Sequence, residues 1–324
     1  MLYPILRSFV KLGINWYVAD WQLKNLELAA KNEPAVIVSN HPNSFFDALV
    51  LSVHQPTEIC FLARGDIFAK PLANWVLRSL FMLPIYKKHD DQEADISNGF
   101  TYDECVRQLK MGRKLLIFPE GVSRNQIDMK PFMTTGLTSI IKRAVQMDVP
   151  IQVQPYILSY NSFDDVPKAV YLEALNPIDS TDYLNNSEVM TSELIKHLRE
   201  EMDAKMLNRY VGARDGIQQE RVWMKYPALL GHYSHNWFYQ LVKKKIKQKT
   251  ENSIFYDSLL FGVLLFSYPV IVLLLSIIIG NIFSFWWGFL VFVLLPFLSY
   301  CWVQYQPIKV AEENLEGRVN RLNP

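Results

Sequence analysis

Two long apolar stretches near the carboxyl terminus constrain the fold of this chain more than any other feature of its sequence. Residues 258–279 and 282–303 are each 22 residues long and contain no charged side chain. As a helix, each would be about 33 Å long, enough to cross a hydrocarbon core of about 30 Å. Gly280 and Asn281 separate them, which predicts a tight turn. Two buried helices of a soluble core are the alternative, but so long an apolar run favours a transmembrane hairpin.

Positive charge flanks both stretches and predicts the orientation of the hairpin. The flanking basic residues are Lys243, Lys244, Lys245, Lys247 and Lys249 before the first stretch, and Lys309, Arg318 and Arg321 after the second. Because basic flanks stay on the cytoplasmic side, we predict a multi-pass membrane protein whose preceding domain is cytoplasmic. The five lysines could also bind anionic lipid. We assign residues 209–250 to a helical basic linker, and residues 251–324 to the hairpin and a cytoplasmic tail.

The amino-terminal segment, residues 1–30, has the periodicity of an amphipathic helix. Leu2, Ile5, Leu6, Phe9 and Val10 recur at helical spacing, and two basic residues interrupt the apolar run. No cleavage site for a signal peptide follows. The helix either packs on the core or lies on a bilayer, since periodicity alone does not say what covers its apolar face.

From residue 34 to about 175, short apolar runs alternate with stretches of helical periodicity. Such alternation is typical of an α/β fold, and we predict a mixed, mostly parallel sheet flanked by helices over residues 31–208. The predicted strands cover residues 35–39, 58–62, 82–86, 114–118, 151–158 and 169–172, and the predicted helices cover residues 44–53, 66–80, 98–111, 135–146 and 188–208.

Charge and cysteine usage exclude some classes of function. Lys and Arg total 33 against 32 Asp and Glu, so the chain lacks the basic excess of a dedicated nucleic-acid binder. Cys60, Cys105 and Cys301 form no CxxC pair, so the sequence predicts neither a zinc site nor a disulfide framework.

The first stretch with chemical content runs from Asn40 to Asp47 and follows the predicted strand 35–39. Pro42 keeps His41 out of helical geometry, and Asn43 or Ser44 can cap the next helix. His41 should therefore lie at the carboxyl end of a strand, where open α/β sheets bind ligands. Asp47 is the only acid between Glu33 and Glu58, which makes it the natural partner to fix the imidazole tautomer.

The second stretch is the turn after the predicted strand 114–118, which reads Phe118-Pro119-Glu120-Gly121. Glycine permits a positive φ, and a glutamate buried in such a turn needs hydrogen-bond partners. A plain β-turn with an exposed Glu120 is an equal alternative from these residues alone.

Together the two stretches resemble the glycerolipid acyltransferase family, which makes lysophosphatidic and phosphatidic acids. The first family block, a His followed by an Asp, resembles His41 to Asp47, although five residues separate them here and the commonest family spacing is four. The third block, Phe-Pro-Glu-Gly, matches Phe118 to Gly121 and is followed by Ser123. The stretch 84–87 resembles the second block, with Lys87 in place of the usual Arg, and residues 149–155 resemble the fourth.

The resemblance implies acyl transfer from a thioester, acyl-CoA or acyl carrier protein, to the hydroxyl of a glycerol-phosphate lipid precursor, most simply 1-acylglycerol 3-phosphate. His41 would be the general base and Asp47 its partner. Glu120 is implied in acceptor binding and Gly121 in close backbone approach, while Lys87 and Arg124 are candidates for the phosphate. The expected partners are the two lipid substrates and the bilayer, with no metal or redox cofactor.

Two other functions stay open at this point. The His-Pro-Asn start is closer to family members that acylate glycerol 3-phosphate itself, giving lysophosphatidic acid. A non-catalytic lipid-binding protein of the same fold is the other alternative. The presence of both His41 and Asp47 speaks against that alternative, since a binder has no need of a paired base.

Overall fold

The structure, a computed structural model, describes residues 2–29, 34–86, 94–125, 128–133, 135–185, 188–189, 191–206, 217–250 and 253–309. Its strands are apolar runs whose side chains point alternately to the two faces of the sheet, and amphipathic helices cover those faces. The strands of the main sheet are β1 (Val18–Lys24), β2 (Ala35–Ser39), β3 (Ile59–Arg64), β4 (Met82–Ile85), β5 (Lys114–Ile117), β6 (Gln152–Tyr160), β7 (Lys168–Ala174) and β8 (Ile178–Asp179). A separate two-stranded ribbon pairs β9 (Leu184–Asn185) with β10 (Glu188–Val189).

The helices account for most of the remaining described chain. They are α1 (Leu2–Tyr17), α2 (Ser44–His54), α3 (Pro71–Ser79), α4 (Ala94–Lys110), α5 (Thr135–Gln146), α6 (Thr191–Met206), α7 (Ile217–Glu220), α8 (Lys225–Thr250), α9 (Tyr256–Ile282) and α10 (Phe285–Tyr305). Strand β2 and helix α5 have the bounds that the sequence predicts. The predicted helix over residues 66–80 is instead a 3-10 turn, Gly65–Phe68, followed by α3, because Pro71 starts a new helix at its first position.

The main sheet has the order β1-β7-β6-β2-β5-β3-β4, with β8 paired to β6. Strands β6, β2, β5, β3 and β4 run parallel to one another, whereas β7 and β8 are antiparallel to β6. The predicted mixed, mostly parallel sheet is confirmed. Because the five parallel strands share a direction, the loops after β2, β5, β3 and β4 leave from the same edge.

Strand β1 was not predicted. It places the start of the sheet before residue 31, the predicted boundary between the amino-terminal helix and the α/β domain. The strand pairs in parallel with β7 at one end of the sheet, so the sheet begins at Val18 rather than after residue 30. Its residues Asp20 and Gln22 weaken the apolar alternation, and no Gly or Pro separates it from α1. Helix α1 therefore ends at Tyr17 and leads directly into the sheet.

The two faces of the sheet carry separate cores. Within β2, Val36 and Val38 face α4, α5 and α6, whereas Ile37 faces α1, α2 and the first turns of α9. Phe261 of α9 is fully buried in this second core, against Tyr17 and Phe46. The base of the first apolar carboxyl-terminal helix is therefore part of the α/β domain itself.

Helices α9 and α10 form the expected apolar pair, but the predicted turn is wrong. Gly280 and Asn281 lie inside α9, and Phe283 and Ser284 connect the helices. Gly288 of α10 is the glycine needed for packing: a Cβ there would lie 2.9 Å from the Gly280 Cα and 2.5 Å from the Ser276 carbonyl oxygen, so the helices approach closely here. Both helices are long and apolar enough to cross a membrane, with mean hydropathy of 2.6 and 1.8, and only 17% and 28% of their apolar windows are buried.

Helix α8 occupies most of the predicted basic linker. It packs on the hairpin and is therefore not a free connection between the α/β domain and the hairpin. Its buried residues contact the ends of both apolar helices that are nearest the domain: Ala228 packs near Cys301, and Val242 packs near Leu260. His235 and Tyr268 are joined by a hydrogen bond of 2.9 Å between the imidazole Nε2 and the phenol oxygen. Helix α8 therefore crosses the base of the hairpin.

Candidate active site

His41 lies where the polypeptide turns from the carboxyl end of β2 into α2. The turn is built from Asn40 to Asn43, with Pro42 buried and Asn40 bonded to both the amide and the carbonyl of Leu158 on β6. Ser44 then adopts a left-handed backbone with φ of 51° before the helix continues. The left-handed conformation of Ser44 lets the strand turn into the helix within the five residues that separate His41 from Asp47.

His41 and Asp47 form a hydrogen-bonded pair. The imidazole Nδ1 lies 2.9 Å from Asp47 Oδ2, and the Asp47 side chain is fully buried whereas 17% of the His41 side chain is exposed. The imidazole also stacks on Phe118, with centroids 3.8 Å apart and planes 8° from parallel. The ring is thus held by a carboxylate at its edge and an aromatic face, which leaves Nε2 as the nitrogen able to take a proton.

Asp47 has two further hydrogen-bond donors. The backbone N–H of Asn43 donates to Oδ2 at 2.8 Å, and the hydroxyl of Tyr160 donates to Oδ1 at 2.7 Å. Burial raises the pKa of Asp47, while the bonds from His41, Tyr160 and Asn43 act in the opposite direction. The sequence did not identify Tyr160, which lies at the end of β6 and reaches Asp47 only through the fold.

Glu120 connects the two stretches that the sequence singled out. Strands β2 and β5 are paired, so the turn after β5 lies beside the turn that carries His41. Glu120 is buried, and its Oε1 accepts the backbone N–H of His41 at 2.9 Å while its Oε2 accepts the N–H of Lys130 at 3.3 Å. The plain exposed turn is therefore excluded. Burial raises the pKa of Glu120, and the two backbone donors oppose that shift.

Gly121 and Ser123 shape the same turn. Gly121 has φ of 67°, which strains any other residue, and a Cβ there would lie 2.4 Å from Met133 Sδ, so the Met133 side chain would have to move. Ser123 Oγ accepts the backbone N–H of Ser44 at 2.6 Å, which joins the turn after β5 to the start of α2. Both residues thus stabilise the relative position of the two turns.

The structure describes one of the two phosphate candidates. Arg124 is exposed beside the turn, and Lys87 lies outside the described residues. Strand β4 ends on the same edge as β2 but three strands away, roughly 14 Å at the usual spacing of strands. Arg64, at the end of β3, is closer and forms an ion pair of 2.8 Å with Asp66.

Two residues of α9 also reach the turn that carries His41. Asp257 Oδ2 accepts a hydrogen bond of 2.5 Å from the side-chain amide of Asn43, and Ser258 Oγ accepts the backbone N–H of Phe46 at 3.0 Å. Asp257 also forms an ion pair of 3.0 Å with Lys168, and both side chains are buried. In the sequence, this contact is marked by little more than an acid placed directly before an apolar span.

A protein family matches the part of the chain that contains this site. Residues 20–158 match the Acyltransferase family, a range that includes both stretches around His41 and Glu120 and excludes α8, α9 and α10. The match therefore covers the part of the chain that holds His41, Asp47 and Glu120.

Curated relatives divide between two kinds of acyl acceptor. A lyso-ornithine lipid O-acyltransferase of Pseudomonas aeruginosa is 31% identical over 140 residues, 43% of this chain and 48% of that protein. A chloroplast 1-acyl-sn-glycerol-3-phosphate acyltransferase of Brassica napus is 29% identical over 42% of this chain and 37% of that protein. A 1-acyl-sn-glycerol-3-phosphate acyltransferase of Helicobacter pylori is 28% identical over 51% of this chain and 70% of that protein. The chain thus spans about half the length, or less, of the first two.

Proposed function

We propose that this protein is a membrane-bound O-acyltransferase that moves an acyl group from a thioester to the hydroxyl of a lysolipid or its precursor. The observation that carries the proposal is the His41–Asp47 pair, which lies at the sheet edge inside the acyltransferase-family domain. A buried carboxylate bonded to Nδ1 fixes the tautomer in which Nε2 accepts a proton.

The proposed reaction needs a single base. His41 Nε2 takes the proton of the acceptor hydroxyl as its oxygen attacks the thioester carbonyl carbon. The C–S bond then breaks, and the leaving sulfur takes the proton from the imidazolium. Asp47 stabilises the imidazolium while it exists. The thioester, acyl-CoA or acyl-acyl carrier protein, is a co-substrate, and the mechanism uses no metal or redox cofactor.

For the acceptor we favour 1-acylglycerol 3-phosphate, which would give phosphatidic acid. Arg124, exposed beside the Glu120 turn, is our candidate ligand for the phosphate, with Lys87 as a second. Glu120 would act on the acceptor by fixing the two turns that surround it, since both its oxygens already bind backbone N–H groups. Glycerol 3-phosphate remains an alternative acceptor.

A lyso-ornithine lipid is the second candidate acceptor. The relative in Pseudomonas aeruginosa, a lyso-ornithine lipid O-acyltransferase, supports it. The chemistry at His41 would be the same for both acceptors, since each presents a hydroxyl to the thioester.

We further propose that α9 and α10 cross the bilayer and that α8 lies in its cytoplasmic interface. The outward face of α8 and the turn before it carry exposed aromatic and aliphatic side chains at helical spacing, opposite to the face that packs on the hairpin. These residues are Trp223, Tyr226, Leu230, Tyr233, Trp237 and Leu241. Trp and Tyr favour the boundary between headgroups and acyl chains, and four exposed lysines at the end of α8 suit an anionic surface. The α/β domain would then lie on the cytoplasmic side.

A reconstituted assay tests the proposal. The full chain in vesicles is given acyl-CoA or acyl-acyl carrier protein with each of three acceptors, 1-acylglycerol 3-phosphate, glycerol 3-phosphate and lyso-ornithine lipid. We expect acyl transfer to 1-acylglycerol 3-phosphate with the highest kcat/KM. Preference for lyso-ornithine lipid would replace the acceptor and keep the reaction, and no transfer to any of the three would refute the proposed function.

A further inference from the structure

We propose that Asp257, at the start of the first apolar helix, is a positioning residue for the His41–Asp47 pair, so that the hairpin completes the catalytic turn. This inference rests on the proposed function. It concerns residues outside the part of the chain that matches the Acyltransferase family, which ends at residue 158.

The contacts form a continuous path from the hairpin to the imidazole. Asp257 Oδ2 accepts the side-chain amide of Asn43 at 2.5 Å, and the backbone N–H of Asn43 donates to Asp47 Oδ2 at 2.8 Å. That same carboxylate oxygen lies 2.9 Å from the imidazole Nδ1 of His41. Asp257 thus acts on the imidazole through two intervening residues: it holds the side chain of Asn43, and the backbone N–H of Asn43 fixes the Asp47 carboxylate.

Asp257, Asn43 and Asp47 in this path are buried, and each makes more than one polar contact. Asp257 also accepts the hydroxyl of Tyr17 at 2.6 Å and pairs with Lys168 at 3.0 Å. Lys168 Nζ in turn donates to the carbonyl oxygens of Ser162 and Asp165, at 2.8 and 3.2 Å. Asn43 is fully buried, so the loss of its acceptor leaves a donor that water cannot satisfy.

Ser258 adds a second contact from the same helix end. Its Oγ accepts the backbone N–H of Phe46 at 3.0 Å and lies 3.5 Å from the carbonyl oxygen of Asn43. The N–H of Phe46 is one of the amide groups at the start of α2. The first residues of α9 therefore bind both a side chain and the backbone of the segment that carries His41.

Hydrogen bonding must be separated from ion pairing to test this role, since removing Asp257 alone would leave Lys168 buried and uncompensated. We therefore compare two double variants with equal charge, Asp257→Asn with Lys168→Met and Asp257→Leu with Lys168→Met. The asparagine keeps an oxygen that can accept from Asn43, whereas the leucine does not. Both are measured as full chains in vesicles beside Asp179→Asn, a control at the opposite edge of the sheet.

We expect the double variant with leucine at position 257 (the leucine pair) to lose kcat by roughly tenfold to a hundredfold relative to the double variant with asparagine there (the asparagine pair). Both KM values should change less than about threefold. Equal kcat in the two pairs, at any level, would overturn the proposal. If the leucine pair does not fold, Ser258→Ala is compared with Ser267→Ala. Ser267 lies further along α9, and its hydroxyl donates to the carbonyl oxygen of Val263 in the same helix. Loss of kcat in the first alone supports positioning, and equal kcat refutes it.

The ring ¹⁵N shifts of His41 give the same comparison without turnover. We expect the asparagine pair to keep the wild-type tautomer, protonated at Nδ1, and the leucine pair to show a mixture of tautomers. Identical spectra would contradict the role of Asp257. A wild-type chain that transfers no acyl group would refute the proposed function alone, because the spectra report the positioning of His41 independently.

Discussion

At the scale of single residues, the site depends on how Asp47 is held. Its two oxygens accept hydrogen bonds from Asn43 and Tyr160 and face the His41 imidazole, so the carboxylate is fixed before any substrate arrives. Preorganisation of this kind costs no rearrangement during the reaction. Asp47, which fixes the imidazole, is therefore as important to the proposed reaction as His41, the base.

Replacing Asp47 by asparagine should remove control of the tautomer. We expect Asp47→Asn to lower kcat roughly a thousandfold or more, since an amide can donate towards Nδ1 and favour the wrong tautomer. Tyr160→Phe is the matched comparison, because it removes one donor and keeps the carboxylate, and its loss should be about tenfold. Steady-state turnover of both variants, with thermal unfolding to confirm their folds, makes the measurement. An Asp47→Asn variant with more than a tenth of wild-type kcat would disprove this role.

Glu120 should make the stability of the protein depend on pH. Because burial raises its folded pKa above the ordinary value of 4.5, the folded chain binds the proton more tightly than the unfolded chain does. This contribution to stability is complete below pH 4.5 and is lost as pH rises through the folded pKa. We expect the free energy of unfolding of wild type, minus that of Glu120→Gln, to fall as pH rises through that window. A difference that stays constant or rises would contradict the effect of burial.

At the scale of helices and strands, local patterns predicted some elements and missed others for physical reasons. Strand β2 and the helix after it were predictable because the strand, Pro42 and the start of the helix follow one another in sequence, although Asn43 makes no side-chain capping hydrogen bond. Strand β1 was missed because its pairing with β7 joins residues about 150 positions apart, and its own pattern is weak. The hairpin turn was misplaced because Gly280, which resembles a turn residue, lies inside α9, where Gly288 of α10 approaches it closely.

The outward face of α8 leads to a prediction for this helix. A spin label at Tyr233→Cys should lie at the headgroup boundary in vesicles, reached by oxygen and protected from a water-soluble nickel chelate. Tyr233 is 73% exposed, and the three native cysteines are buried, so the label should report this position alone. Glu200→Cys on α6 is the control for a side chain in water. Equal collision rates with the nickel chelate at both positions would place α8 away from the bilayer.

At the scale of the whole molecule, the hairpin and the α/β domain are not independent. Phe261 lies in the core beneath the sheet, and Asp257 contacts Asn43, so the first turns of α9 belong to the domain. The sequence could locate His41, Asp47 and Glu120 because each lies within a local motif. It could not locate Tyr160 or Asp257, because these reach the site only through tertiary contacts across the sheet.

Deleting residues 251–324 should therefore have two effects. We expect carbonate to extract the truncated chain from membranes while the full chain stays in the pellet, since the truncated chain lacks both apolar helices. The released protein should also be less stable and inactive, because Asp257 and Phe261 are missing from its core. Extraction of the full chain by carbonate would refute the transmembrane hairpin, and resistance of the truncated chain would mean that α1 or α8 inserts more deeply.

The most direct test of the central claim is the turnover of His41→Gln beside that of His54→Gln. Both histidines lie on the same strand-to-helix unit, but His54 bonds the carbonyl oxygen of Val50 within α2 and does not contact Asp47. Each variant is reconstituted as the full chain, and acyl transfer is measured under the conditions that support the wild type. Loss of a general base should reduce kcat by roughly a hundredfold to ten-thousandfold in His41→Gln, with membrane association and folding kept. His54→Gln should retain wild-type turnover to within about threefold, and a well-folded His41→Gln variant that does the same would show that another group is the base.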